Sequence, residues 1–312
     1  MRVVILMSTY QGEQFVAEQI ESILKQLPPD GRLLVRDDGS RDGTASIVRS
    51  FVDPRITLTC GPNIGFAQSF FTLMAATPDD AEMIMLSDQD DVWLPQKIGR
   101  AWEYLKDTDG VPTLYCSRQQ LVDGNLDPIA LSKRCLRPPS FQNALTENIV
   151  TGCTAAFNRD ALLLALQIKV QERVYFHDWW LYLVITAFGK VIVDGEATIL
   201  YRQHAGNAIG RGAGLMQYVE ILRFMRKRSW VHIMYRQIEE FSAVYTSQLS
   251  YSQKKLLGDY FDPNKIFSVS RFIFSLKSFR QSLLGDILLR CLIIVELASG
   301  RGLIPHFENR LE

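Results

Sequence analysis

Residues 83–91 read Met-Ile-Met-Leu-Ser-Asp-Gln-Asp-Asp, an apolar run that ends abruptly in three carboxylates, Asp88, Asp90 and Asp91. A short apolar stretch followed at once by charge reads as a buried strand. Ligands of open α/β sheets sit outside the carboxyl ends of such strands. Two aspartates with one residue between them, leaving a strand end, can aim oxygen ligands at a hard divalent cation. Mg²⁺ is usually held by one or two carboxylates together with substrate phosphates. The segment therefore predicts a nucleotide-diphosphate site that works through a metal. Surface loops are also full of acids, so the reading leans on what surrounds it.

What surrounds it is an alternation of strand and helix. Residues 3–7 read as a first strand, and residues 13–26 as a helix with Phe15, Val16, Ile20, Ile23 and Leu24 on one face. After the break Pro28-Pro29-Asp30-Gly31 come a strand at 33–35, a helix over 45–51, a strand at 56–59 and a helix over 67–76. With the strand at 83–86 this predicts an α/β fold, a mostly parallel sheet with helices on both faces. Further on the pattern is less regular. Strands are expected at 113–117, 155–157 and 191–193, and helices over 160–166 and 178–188. Met234, Ile238, Phe241 and Tyr245 recur at helical spacing, as do Leu276, Phe279, Leu283 and Ile287.

The chain has 312 residues and no net charge, which removes any global argument for nucleic-acid binding. Charge is divided, however. Residues 1–205 carry 19 basic and 25 acidic side chains, and residues 206–312 carry 15 and 9. An acidic front joined to a basic back predicts different partners for each. Five widely spaced cysteines without a Cys-x-x-Cys pair fit reduced, mostly buried thiols in a cytosolic protein. No apolar run approaches the roughly 18 residues that span a bilayer.

Four more clusters fall at expected strand ends or loops. Ser8-Thr9-Tyr10-Gln11-Gly12 has one glycine where a dinucleotide-binding turn needs three, which argues against hydride transfer. The stretch is also neither glycine-rich nor lysine-bearing, unlike the phosphate loop of a nucleotidyltransferase. In Arg36-Asp37-Asp38-Gly39-Ser40 a carboxylate can accept a pyrimidine ring N–H, or the stretch is a plain Asp-Gly turn. In His177-Asp178-Trp179-Trp180, Asp178 is either a general base in a partly apolar pocket or the N-cap of the helix that follows. In Tyr201-Arg202-Gln203-His204, His204 is a metal ligand or a solvated side chain. Beyond it, 206–214 holds four glycines around Arg211. It reads as a loop that closes on a diphosphate through the guanidinium, or as a linker.

Taken in order, Ser8-Thr9-Tyr10, Arg36-Asp37-Asp38-Gly39-Ser40, Asn63-x-Gly65, Ser87-Asp88-Gln89-Asp90-Asp91, His177-Asp178 and Tyr201-Arg202-Gln203-His204 resemble family 2 glycosyltransferases over about residues 1–210. The wording around Leu86–Trp93 and Tyr201–His204 is most similar to bacterial rhamnosyltransferases, which build cell-wall polysaccharide and lipopolysaccharide from dTDP-L-rhamnose. The resemblance implies a GT-A fold with a metal-assisted, inverting displacement. It places Thr9, Tyr10 and Asp38 on the nucleoside, Asp37 in support of the turn, and Asp88 on the ribose. Asp90 and His204 would hold Mg²⁺ or Mn²⁺, and Asp178 would be the catalytic base. Gln89 stands where the family often has a small residue, although Gln is usual in the rhamnosyl branch. Asp91 is read as structural. A UDP-hexose donor is the alternative within the same chemistry. An idle sugar-binding module is the alternative outside it, and it would be expected to lack some of these acids.

The expected organisation is a catalytic domain over 1–205 and a helical region over 206–312. In the latter, Arg223, Arg226, Lys227, Arg228, Arg271, Lys277, Arg280 and Arg290 lie among aromatic and aliphatic residues. Such helices suit an anionic membrane surface, or they pack an apolar face on the core with solvated charges outside. A glycan or lipid-linked acceptor, met at the inner face of the cytoplasmic membrane, would give the first alternative a purpose.

Overall fold

The computed structural model describes residues 1–108, 110–203, 230–263, 265–299 and 303. By contact clustering the chain forms two units, the first comprising 1–135, 148–167 and 176–208, the second 136–147, 168–175 and 209–312. Two short segments from inside the expected catalytic span thus cluster with the later helices.

The first unit is built on one sheet. Strands β1 (Val3–Thr9), β2 (Arg32–Asp37), β3 (Ile56–Cys60) and β4 (Met83–Ser87) pair in parallel in the order β3-β2-β1-β4. Helices α1 (Val16–Leu24), α2 (Thr44–Ser50) and α3 (Phe66–Ala75) connect them. Val3–Met7 in β1 and all of β4 are buried, as strands covered on both faces must be. Val16, Ile20 and Ile23 of α1 join Ile5, Met7, Met83 and Met85 in the core. Beyond β4 the sheet turns mixed. It runs through β8 (Ala156–Asn158), β6 (Thr113–Val122), β9 (Lys190–Arg202) and β5 (Val92–Trp93), with β7 (Pro128–Leu131) on β6. Helices α4 (Lys97–Leu105), α6 (Arg159–Ala165) and α7 (His177–Phe188) complete the unit.

At the α7–β9 junction, a Cβ on Gly189 would stand 1.9 Å from the Pro112 carbonyl oxygen. Gly189 donates its N–H to Ile185 (2.8 Å), and Pro112 accepts the Lys190 N–H (2.8 Å). Both backbones are therefore pinned.

The second unit contains α5 (Phe141–Ala144), α8 (Trp230–Tyr245), α9 (Tyr251–Tyr260), α10 (Ile266–Ile273) and α11 (Leu283–Ala298). Phe261, Phe272 and Phe279 pack with tilted or edge-to-face rings, centroids 4.9–5.5 Å apart. Here one sequence expectation is corrected. Leu276 and Phe279 precede the helix that carries Leu283 and Ile287. The buried Asp286 carboxylate, in the first turn of α11, accepts the N–H groups of Phe279 and Arg280 (3.0 Å each) and the Ser278 hydroxyl. Ser282 then accepts from Gly285 N–H as the N-cap. Those bonds hold 278–280 extended. The cysteines are a second correction. Cys116 and Cys153 are buried, but Cys60 and Cys291 are exposed, because each occupies a solvent-facing position of its strand or helix.

Gly189→Ala should cost about 1–3 kcal/mol, the usual range for overpacking against fixed neighbours. The midpoint of urea unfolding measures it, and an unchanged midpoint would show that this junction gives way freely.

Candidate active site

The three acids leave β4 under tight control. Buried Gln19 donates from Nε2 to Ser87 Oγ (2.7 Å) and to the Asp88 carbonyl (3.1 Å), which fixes the exit of the chain. Next, β5 pairs Val92 with Leu200 and Trp93 with Ile199, which sets β9 beside the acid loop. The Arg202 N–H then donates to Asp91 Oδ1 (3.1 Å). The Arg202 guanidinium, also buried, donates to the Asp90 carbonyl (3.0 Å) and the Gly124 carbonyl (2.6 Å), pairs with Glu18, and lies 4.7 Å from the Phe15 ring. Arg202 belongs to a motif that sequence reading singled out for His204. Its own task is to hold the acid loop.

Asp178 reaches the same corner from α7. It is not the N-cap, which corrects that alternative: α7 begins at His177, with Phe176 in the capping position. Asp178 lies inside the first turn. Its Oδ1 accepts the Trp179 N–H (2.7 Å), and its Oδ2 accepts the N–H of Gly152, in the 3-10 turn Gly152–Thr154 (3.0 Å). Burial pushes the Asp178 carboxyl up to about 6, against the pull of these hydrogen bonds and one from Asn148. His177 beside it is buried and stacks on Phe70 at 4.0 Å, and burial holds it down to about 3, so it is neutral.

Burial, then repulsion from Asp90 and Asp178, raises Asp88 to about 7. Asp91 is held well above the usual carboxylate range by burial and by Asp90 and Asp88. Behind them lies Lys97, wholly buried, its Nζ donating to the Cys153 carbonyl (2.9 Å) and 3.4 Å from Thr198 Oγ1. Burial lowers Lys97 to about 8. Neither Lys97 nor Cys153 was picked out from sequence. A lysine in line with the apolar positions Ala101 and Leu105 was the available signal.

On the other side of the sheet's carboxyl edge, Thr9 donates to Asp37 Oδ2 (3.0 Å). Asp37 also accepts from Ser40 N–H (2.9 Å) and Ser40 Oγ (2.6 Å), closing the turn as expected of it. Asp38 is more committed than the sequence suggested. It is buried, accepting from Ile64 N–H and Gly65 N–H (2.9 Å each) and from the Arg36 guanidinium. Those three donors leave one of the roughly four acceptor positions of a carboxylate. Its first role is to fasten the loop before α3. Tyr10 is 47% exposed at the end of β1.

The donor set fits a divalent cation. Oxygens of Asp88 and Asp91 and the Cys153 sulfur lie within 4.8 Å of one another, and the buried Asp91 Oδ2 has no hydrogen-bond partner among the described residues. Burial holds the Cys153 thiol well above its ordinary range, so it stays protonated and the carboxylates are the ligands suited to a hard ion. Asp91, read from sequence as structural, does hold the Arg202 N–H with one oxygen, while the other stands in the cluster. His204, expected on the metal, and Arg211, expected on the diphosphate, lie outside the described residues.

An acid cluster at the carboxyl ends of parallel strands, faced by a further buried carboxylate, on a mixed α/β sheet flanked by helices, matches the architecture of GT-A glycosyltransferases. The chain belongs to glycosyl transferase family 2, whose profile matches residues 4–163. It is 26% identical over 241 residues to the dTDP-rhamnosyl transferase RfbG of Shigella flexneri, covering 71% of this chain and 80% of that one. Over 95 residues it is 34% identical to the Escherichia coli UDP-Glc:alpha-D-GlcNAc-diphosphoundecaprenol beta-1,3-glucosyltransferase WfgD, covering 30% and 37%. S. aureus TarS 1-349 in complex with UDP-GlcNAc superposes with a TM-score of 0.55 at 12% identity, covering all of this chain and 95% of that one. The mannosyltransferase PcManGT from Pyrobaculum calidifontis, with GDP-Man and Mn²⁺, gives 0.51 at 17%, covering 96% and 88%.

A base works only when ionised, so kcat/KM should fall as pH drops through about 6, the value burial imposes on Asp178. An acid limb at the ordinary carboxylate value of about 3.9 would mean that Asp178 is not the group being titrated.

Proposed function

We propose that this glycosyltransferase moves L-rhamnose from dTDP-L-rhamnose onto a hydroxyl of a growing bacterial surface glycan, by a single displacement that inverts the anomeric carbon. The observation that carries the chemistry is Asp178, buried, gripped by the Gly152 N–H and raised to about 6 beside the acid cluster. As the acceptor oxygen bonds to C1 it must lose its proton, and Asp178 takes it while the nucleoside diphosphate leaves from the opposite face. One base and one displacement turn a β-linked donor into an α-L-rhamnoside. Asp88 and Asp90, with Asp91 beside them, would hold the divalent cation. When bound, that cation offsets charge growing on the departing diphosphate. Thr9 and Tyr10, with the remaining acceptor position of Asp38, would meet the nucleoside.

The motif wording and the RfbG relative favour rhamnose. The name of WfgD favours a lipid-diphosphate acceptor, and with it a UDP-hexose donor as the competing choice. In the second unit, Phe267 (83% exposed), Phe274 (82%) and Leu276 (fully exposed) stand with Arg271 and Lys277 along α10 and the segment after it. Exposed aromatics with basic neighbours suit an anionic bilayer surface, where each Lys or Arg adds about 1 kcal/mol. Among the described residues no helix is long and apolar enough to cross a membrane. Arg223, Arg226, Lys227 and Arg228 lie outside the described residues.

A panel of nucleotide sugars with Mn²⁺ tests the donor. Turnover should be highest with dTDP-L-rhamnose and abolished by chelator. A preference for any UDP-hexose overturns the donor and leaves the family standing. Asp178→Asn should lower kcat by roughly 10²–10⁴-fold with donor binding nearly unchanged, and wild-type turnover would remove Asp178 as the base.

Flotation with phosphatidylglycerol vesicles tests the surface. Binding should weaken in Phe267→Ser/Phe274→Ser and in high salt. Equal binding by the variant would place the contact elsewhere.

A further inference from the structure

We propose that Gln89 is a positioning residue that couples the nucleoside loop after β1 to the metal acids after β4. The proposal rests on Thr9 and Tyr10 meeting the nucleoside and on the acids holding the cation. Gln89 stands between Asp88 and Asp90. Its side-chain amide pairs with the backbone of Tyr10 as a neighbouring strand would. Oε1 accepts the Tyr10 N–H (2.8 Å) and Nε2 donates to the Tyr10 carbonyl (2.9 Å). Only a side chain carrying both an acceptor and a donor at its tip can close that pair, which neither a carboxylate nor a small residue can do.

The loop it grips is under strain. Gln11 has φ +50°, the left-handed region disfavoured for residues with a Cβ. It is fastened by its own N–H to Ser40 Oγ (3.0 Å), and its Oε1 accepts from the N–H groups of Arg41 (2.8 Å) and Asp42 (3.3 Å). Such conformations persist where the surroundings over-determine them, and they gather at ligand clamps. Gly12 supplies the room. A Cβ there would meet Gln89 Oε1 at 2.1 Å, Cδ at 2.4 Å and Nε2 at 2.9 Å, and Gly12 is not itself left-handed. The glycine is thus required by the approach of Gln89 rather than by its own backbone.

A double hydrogen bond between these loops makes them one body. A nucleoside that orders Tyr10 also orders Asp88 and Asp90, and a cation on the acids orders Tyr10, since coupling between sites is reciprocal. A staple that served stability alone would leave both affinities intact.

The probes are Mn²⁺ and dTDP, with UDP in parallel, measured by calorimetry, alongside thermal unfolding. Gln89→Met keeps length and removes the pair. It should weaken nucleotide and Mn²⁺ binding together by roughly tenfold, the loss of two hydrogen bonds of ordinary net strength. Gly12→Ala should do the same and lower Tm, and in a Gln89→Ala background it should add little, because the colliding atoms are gone. A lower Tm in Gln89→Met with both affinities unchanged overturns the coupling, as do additive effects in the double variant. Tyr10→Ala separates the two readings. If nucleotide binding survives it, the nucleoside assignment fails, while the Gly12–Gln89 cycle, read through Tm alone, still tests the clamp.

Discussion

Four carboxylates share one corner of this fold, and burial sets the terms for Asp88, Asp91 and Asp178. Asp88, Asp90 and Asp91 leave a strand with no exposed residue, and Asp178 faces them from α7. In such a place each negative charge raises the cost of the next. The protein answers with fixed positive partners rather than with water. Lys97, at the start of α4, is wholly buried, and Arg202 gathers carbonyls from Asp90 and Gly124. Neither cation neutralises the cluster, so it retains a deficit of positive charge. That deficit is the charge state that the proposed divalent ion would answer.

Two backbone N–H groups hold the acids in place. The Gly152 N–H aims Asp178, and the Arg202 N–H aims Asp91. Both donors come from elements that belong to the sheet or abut it. The acids therefore take their orientation from the rigid part of the molecule, although they sit on turns. The corner after β1 and β2 is arranged differently, with Thr9, Asp37, Ser40 and Gln11 bonded to one another across two loops.

The strands β1, β2 and β4 were legible because each is a short apolar run closed by a breaker, and β3 because Ile56 and Leu58 alternate with threonines. The two-residue β5 and the helix α4 were not. A two-residue strand has no period, and the buried face of α4 includes Lys97, which pattern reading counts as polar. At the site, the acids announced themselves as residue types in order. The task of Asp38 did not, because Ile64 and Gly65 reach it from 26 and 27 residues away. The tasks of Lys97, Cys153 and Gln89 were hidden for the same reason. Their partners are set by topology, not spacing. Asp178 was read one residue off, since His177 already has helical geometry.

The pairing of β5 with β9 also bears on when the site comes into being. Arg202 lies 111 residues along the chain from Asp91, and among the described residues β5 pairs with β9 alone. Contacts so distant in sequence carry a large loop-closure cost before they return any stabilisation. The parallel strands β1 to β4 can associate while the remainder is still being synthesised. The acid loop cannot be sheltered until β9 emerges. Before that, the acid loop lacks the Arg202 bonds that fix Asp91 and the Asp90 carbonyl, so the acid corner is among the last parts of the sheet to be completed.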